Sequence, residues 1–267
     1  MFNENSLVAD AQKIMLQILC ATDKICTEHH LTYWLEGGTL LGAVRHHGFI
    51  PWDDDMDISM PRKDYEQFLK IAPQLLPKDL FLQTQQSDPQ YKLPIAKIRK
   101  RGTLLIETGE TGNENYCHGI FIDIIPNDYY HNKWFIKWMR WGVTVRDRKK
   151  NYPKGSIRRH LVVLYTNVLL FFPVQITLWI HNFLSRHHEW FQDEQAKYLS
   201  HGLEFGFLRE TQTADILPIV RDEAVFEGVT FSVPRHKERY LEQYFDKNYM
   251  TLPPQEKRKT HAKKIVL

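Results

Sequence analysis

Trp52-Asp53-Asp54-Asp55-Met56-Asp57-Ile58-Ser59-Met60 sets four aspartates in five positions, directly before an apolar alternation. Carboxylates a few Å apart repel and resist joint ionisation. A folded chain keeps such a block as a solvated loop or around a cation. The alternation Asp55-Met56-Asp57-Ile58 adds geometry: as a strand of period two, it turns Asp55 and Asp57 to one face and Met56 and Ile58 to the other. Two carboxylates projecting together suit a hard divalent cation such as Mg²⁺, which leaves positions open for substrate phosphates.

The flanking sequence favours the cation. Upstream, the apolar run from Tyr33 breaks at Gly37 and Gly38 into a short helix through Arg45. Two glycines at a helix N-terminus let backbone amides and the helix dipole meet an anion, and Thr39 adds a hydroxyl. Downstream, Gly119-Ile120-Phe121-Ile122-Asp123-Ile124-Ile125-Pro126 reads as a buried strand with Asp123 its only charge. Such an aspartate answers a buried cation, ligates a metal, or takes a proton from an attacking hydroxyl.

Gly37-Gly38-Thr39, Asp55-Met56-Asp57 and the later Asp123 together resemble the three-acid signature of the nucleotidyltransferase superfamily. More narrowly, residues 37–69, GGTLLGAVRHHGFIPWDDDMDISMPRKDYEQFL, are similar to the hallmark segment of the LicD family. The similarity continues in Lys97-Ile98-Arg99, in the Gly119–Pro126 strand and in Tyr249-Met250-Thr251-Leu252-Pro253-Pro254. The resemblance implies a metal-dependent transferase moving phosphocholine from CDP-choline to a sugar hydroxyl of a cell-surface glycan, of lipopolysaccharide or teichoic acid type, with CMP released. The same chemistry with another CDP-activated donor such as a CDP-alditol, or a non-catalytic nucleotide-binding relative, stands as the alternative. Asp55, Asp57 and Asp123 are then both the catalytic and the metal-binding residues, with Mg²⁺ or Mn²⁺ as cofactor. Asp53 and Asp54 are supporting or solvent-facing, Asp53 the closer of the two.

Donor-binding candidates are Gly37, Gly38, Thr39, Arg45, Lys97, Arg99 and Trp52. Lys97 and Arg99 alternate on one strand face and can clamp a diphosphate; an ordinary wet strand face is the plainer reading. A quaternary ammonium needs an aromatic cage, and Trp52, between Pro51 and Asp53, is the preferred wall over Tyr33, Trp34 and Tyr116. Each of these aromatics can equally be core packing.

A chain of 267 residues with 43% apolar and 25% charged residues is that of a globular protein able to bury a core. Cys20, Cys26 and Cys117 lack zinc spacing and cannot all pair, which points to a reducing compartment. The start, Met1-Phe2-Asn3, lacks the pattern of a cleavable signal. Between His131 and His160, ten basic residues face a single acid, Asp147, and Trp134, Trp138 and Trp141 lie among them. This reads as a membrane-surface element. The apolar stretch 161–184 is expected to lie on or dip into a bilayer rather than span it, or to form a buried helical layer. The partners expected are a nucleotide donor, a glycan or lipid-linked glycan acceptor, and a membrane surface through 131–185. Nucleic acid is not among them, and the location is cytoplasmic, peripheral at the inner membrane face.

The expected fold class is α+β, a nucleotidyltransferase-like mixed β-sheet flanked by helices, with a helical membrane-facing insertion. Residues 1–130 are read as the catalytic core, 131–200 as the insertion, and 201–267 as a hairpin and helix completing the core. Ser6 caps a first helix ending near His30, Pro61 opens a helix through Leu76, and strands fall near 80–84, 93–99, 103–107 and 119–125. A hairpin turns at Glu227-Gly228, a helix spans about 235–245, and 255–267 is expected to be a charged tail.

Overall fold

A computed structural model describes residues 4–93, 95–131, 153, 155–169, 183, 196–202, 212–213, 222–258 and 260–267. The chain divides into two compact units, Met1–Pro126 with Ile216–Leu267, and Asn127–Asp215.

The first unit opens with α1, Glu4–Glu28. Val8, Ala11, Met15, Ile18, Leu19 and Ile25 recur three or four apart and are buried, the stripe of a helix lying on a core. Ser6 sits inside its first turn and does not cap it, because the helix begins at Glu4. β1, Trp34–Leu35, passes through Glu36 into α2, Gly37–His46. Gly37 has φ +49°, and a Cβ there would stand 2.8 Å from the Tyr244 hydroxyl, so conformation and close approach both call for glycine.

β2, Asp57–Pro61, begins two residues later than the alternation implies, so Asp55 lies in the extended approach to the strand. The apolar half of the alternation holds: Met56, Ile58 and Met60 are fully buried. Then come α3, Arg62–Leu75, β3, Leu80–Gln83, β4, Ala96–Lys100, β5, Leu104–Glu107, and β6, Phe121–Tyr130. The sheet runs β1-β2-β6-β4-β3, with β1–β2, β6–β4 and β4–β3 antiparallel. This crossover order builds the site. It brings β6 beside β2, where the Asp123 amide donates to the Met56 carbonyl at 2.8 Å, and it sets Lys97 of β4 opposite Asp123.

After residue 216 the chain returns as the expected hairpin, β9, Asp222–Phe226, and β10, Val229–Val233. Its turn residues Glu227 and Gly228 both have positive φ, +51° and +78°, as the tight turns favoured in hairpins require. A further helix, Lys237–Phe245, follows. The end of the chain, expected as a charged tail, forms regular structure. After a short 3₁₀ turn at Gln255–Lys257, β11, Ala262–Val266, pairs antiparallel with β5. Its anchor is a buried aspartate far upstream, which local reading of a lysine-rich end cannot reveal.

In the second unit, Asn127–Tyr130 at the end of β6 pair antiparallel with β7, Tyr198–His201, and β7 pairs with β8, Gln212–Thr213. A helix covers Ile157–Leu169. The tryptophan-bearing basic stretch and most of 161–184 lie outside the described residues. No helix among those described is long and apolar enough to cross a membrane.

Candidate active site

The amide of Asp57 donates to Thr39 Oγ1 at 2.9 Å, and the Glu36 amide donates to the Asp57 carbonyl at 3.0 Å. The start of α2 is thereby fastened to the first residue of β2, and the Thr39 oxygen is engaged inside the protein. Burial drives the Asp57 carboxyl well above the usual range, reinforced by Asp55, Asp123 and Glu36 and opposed by Lys97. Glu36 is itself buried, receiving hydrogen bonds from Trp34 Nε1 at 2.9 Å and from the Tyr240 hydroxyl.

Lys97 is buried between two acids. Its Nζ lies 2.9 Å and 3.2 Å from the two Asp123 carboxylate oxygens and 3.1 Å from Glu107 Oε2, with the Phe121 ring centroid 3.4 Å away. Burial pushes Asp123 up to about 6 against the pull of Lys97. Despite the short ion pair, Asp123 Oδ1 is a buried oxygen with no hydrogen-bond partner. Arg99 shares the Lys97 face, its Cζ 4.7 Å from the same ring. The Arg99 side chain is fully buried: Nε donates to Gln83 Oε1, Nη1 donates to the Gly119 carbonyl at 2.8 Å, and Nη2 has no partner. Neither cation lies on a wet strand face.

The remaining aspartates have separate roles. Asp54, 1% exposed, accepts hydrogen bonds from the backbone amides of His261, at 2.8 and 2.9 Å, and Ala262. Burial alone would raise its pKa, but the bonds from His261 and Ala262 outweigh it and hold the carboxyl below the usual range. Asp53 lies against Gly38, where a Cβ would stand 3.0 Å from Asp53 Oδ2. Burial, then Asp55, pushes Asp53 up to about 8. His261 Nδ1 stands 3.5 Å from Asp54 and 3.4 Å from Asp55, and these acids carry its pKa up to about 9. Sequence reasoning missed His261, whose place depends on the β11–β5 pairing.

Asp57 feels the charges of both Asp55 and Asp123, and the three carboxylates are hard oxygen donors that could hold a divalent cation. Among the described residues, the tightest grouping is a different one: Asp53, Asp54 and His261 can bring ligand atoms within 4.8 Å of one another. With Asp54 committed to two amides, that trio is poorly free to ligate.

The rim is cationic and aromatic. Arg45 Nη1 donates to the Tyr249 carbonyl at 2.8 Å. The Trp52 ring carries the guanidinium of Arg258, 4.7 Å from its centroid, and meets His46 edge-on at 6.3 Å. Arg258 Nε is fixed by the Pro253 carbonyl at 2.9 Å. Trp52 is thus already a cation-binding face, and its present cation is a side chain that sequence reasoning did not single out.

Residues 30–158 match the family described as LicD/FKTN/FKRP, nucleotidyltransferase domain. The chain carries a LicD-family domain. It contains Gly37, Gly38, Asp55, Asp57, Lys97, Arg99 and Asp123, whereas Tyr240, Arg258 and His261 fall beyond the matched span. The chain is 26% identical over 273 residues, 94% of each chain, to the lipopolysaccharide cholinephosphotransferase LicD of Haemophilus influenzae. Over 32 residues, 12% of this chain and 6% of the relative, it is 59% identical to the human ribitol 5-phosphate transferase FKRP. An uncharacterised protein of Rickettsia typhi is 47% identical over 60 residues, 22% of this chain and 19% of the relative.

Proposed function

We propose that this protein is a phosphotransferase acting on a glycan, moving phosphocholine from CDP-choline to a sugar hydroxyl of a lipopolysaccharide or teichoic acid and releasing CMP. The observation that carries the reading is the similarity to the Haemophilus cholinephosphotransferase over 94% of both chains.

Asp55, Asp57 and Asp123 are assigned to hold Mg²⁺, or Mn²⁺ in its place. The upward push that burial, then Asp55, Asp123 and Glu36, put on the Asp57 carboxyl is of the kind a bound cation relieves, and it supports this assignment. Such an ion, when bound, neutralises charge on the donor diphosphate. Gly37, Gly38 and Arg45 face the donor phosphates in this reading, while Lys97 and Arg99 supply positive charge behind Asp123. The acceptor oxygen bonds to the phosphorus of phosphocholine as the bond to the CMP phosphate oxygen breaks, and the hydroxyl proton passes to Asp123. Trp52 receives the trimethylammonium group by the face that Arg258 now covers. An acceptor that is lipid-linked fits a peripheral location at the inner face of the cytoplasmic membrane, and the basic composition of 131–160 suits anionic headgroups.

A CDP-alditol donor is the second reading, favoured by the short, high-identity match to ribitol 5-phosphate transferase. Incubating the protein with Mg²⁺ and a panel of CDP- and UDP-activated compounds, with and without glycan acceptors, tests both through release of CMP or UMP. CMP from CDP-choline supports the first, CMP from CDP-ribitol alone supports the second, and no release from folded protein refutes both.

A further inference from the structure

Arg45, His46, Trp52 and Arg258 stand together at the rim, each half-buried and so within reach of solvent. Arg258 Cζ lies 4.7 Å from the Trp52 ring centroid, His46 meets the same ring at 6.3 Å, and Arg45 Nε stands 3.4 Å from His46 Nδ1. One stretch of backbone steadies both guanidiniums. Arg45 Nη1 donates to the carbonyls of Tyr249 and Thr251, and Arg258 Nε donates to that of Pro253. Among the described residues, no carboxylate lies within ion-pair distance of either arginine, and both Nη groups of Arg258 are without a partner. Burial lowers the Arg45 pKa and the Arg258 charge lowers it further, with Asp53 opposing. Two guanidiniums brought together with donors to spare make half of a phosphate site.

Trp52 decides what can complete it. The Arg258 guanidinium is held on the ring by a cation–π contact and by one hydrogen bond to its own segment. A neutral head group offers the ring nothing in place of that charge. A quaternary ammonium does, and with no N–H to donate it finds a natural seat on a ring face. Phosphocholine joins such an ammonium to a phosphate through a short ethylene bridge. As the ammonium takes the ring, the phosphate stands beside the displaced guanidinium and meets its Nη donors. One zwitterion thus exchanges a single internal contact for two of its own.

We infer that Arg258 is a specificity-determining residue for the donor head group: it yields the Trp52 face to a quaternary ammonium and receives the attached phosphate on its freed Nη groups, beside Arg45. This deepens the function proposed above and rests on it for the ligand class. The test is run without nucleotide, so that binding is read apart from transfer. Ligand-observed NMR in Mg²⁺ buffer titrates choline and phosphocholine, through the N-methyl signal they share, against wild type, Arg258→Gln and Arg258→Lys. The cost of clearing the ring is common to both ligands, so the ratio of their affinities isolates the contact between Arg258 and phosphate. Phosphocholine is expected to bind the wild type more tightly than choline, and Arg258→Gln to cut that preference about tenfold, the loss of a hydrogen bond to a charged group. Arg258→Lys keeps the charge without the fork and is expected to cut it about threefold. Choline alone is expected to bind Arg258→Gln at least as tightly as wild type, because the ring then carries no competitor. An Arg258 that merely supports the rim would weaken both ligands alike. An unmoved ratio, choline weakened by the substitution, or no binding of either ligand overturns the inference. Should Arg258→Gln fail to fold, Arg258→Lys carries the ratio test alone. CMP release from CDP-choline with an unmoved ratio keeps the transfer reading and removes Arg258 from it; a fallen ratio without CMP release does the reverse.

Discussion

Replacing Asp54 by alanine strips the acceptor from two backbone donors 207 and 208 residues away, the amides of His261 and Ala262. Hydrogen bonds to a charged acceptor contribute about 1.5–3 kcal/mol each, so two lost bonds cost about 3–6 kcal/mol. The His261 ring, 62% exposed, adds little that solvent does not screen. Asp54→Asn keeps one carbonyl oxygen and is expected to cost about half as much. Urea denaturation of wild type, Asp54→Asn and Asp54→Ala should give that order. Amide exchange should show loss of protection concentrated in β11 and its partner β5 before the rest of the sheet opens. If Asp54→Ala denatures within about 0.5 kcal/mol of wild type, the range of an ordinary surface substitution, Asp54 is not the clasp of the C-terminal strand. If β11 keeps its protection in the mutant, the same conclusion follows from a different observable.

Stability should fall as pH rises from about 4 to about 9 in metal-free buffer. The native chain holds Asp123 and Asp53 protonated to about 6 and 8, where an unfolded chain releases those protons near 3.8, so the native state binds more protons across that window. His261 acts in the same sense, its contribution complete below 6.5 and lost as pH passes about 9. Saturating Mg²⁺ should raise Tm and flatten the decline by keeping the acids ionised; a Tm unmoved by Mg²⁺ at pH 8 counts against the metal assignment. Lys97→Met leaves Asp123 buried without its cation and should cost about 3–5 kcal/mol at neutral pH, less at pH 5, where protonated Asp123 needs no partner; denaturation at the two pH values reads this, and a pH-independent loss would falsify it. Trp52→Ala should raise the apparent KM for CDP-choline about tenfold with little change in Tm, the loss of a desolvated cation–π contact; equal losses in affinity and stability would make Trp52 a packing residue.

What could be read locally was the spacing of side chains along each element. Met56, Ile58 and Met60 betray β2 by period two, Glu227-Gly228 betrays a hairpin, and an aspartate alone in the apolar run 119–126 must have an answer in the fold. That answer, Lys97 with Glu107 behind it, required knowing that β4 lies beside β6. Two further side chains show where local spacing stops informing. Arg99 looked available because alternation tells which residues share a face but not whether the face is covered. Asp54 looked spare because its partners are backbone amides, which carry no signature in sequence.

The bond from Asp54 to His261 also sets an order of events during synthesis. At about 5–20 residues per second, a ribosome needs roughly 10–40 s to extend the chain from Asp54 to its amide partners. Throughout that interval the four-aspartate block lacks the hydrogen bonds that the His261 and Ala262 amides give Asp54. A chain ended between residues 158 and 261 would keep every residue of the LicD-family match and lack both backbone amides that Asp54 accepts.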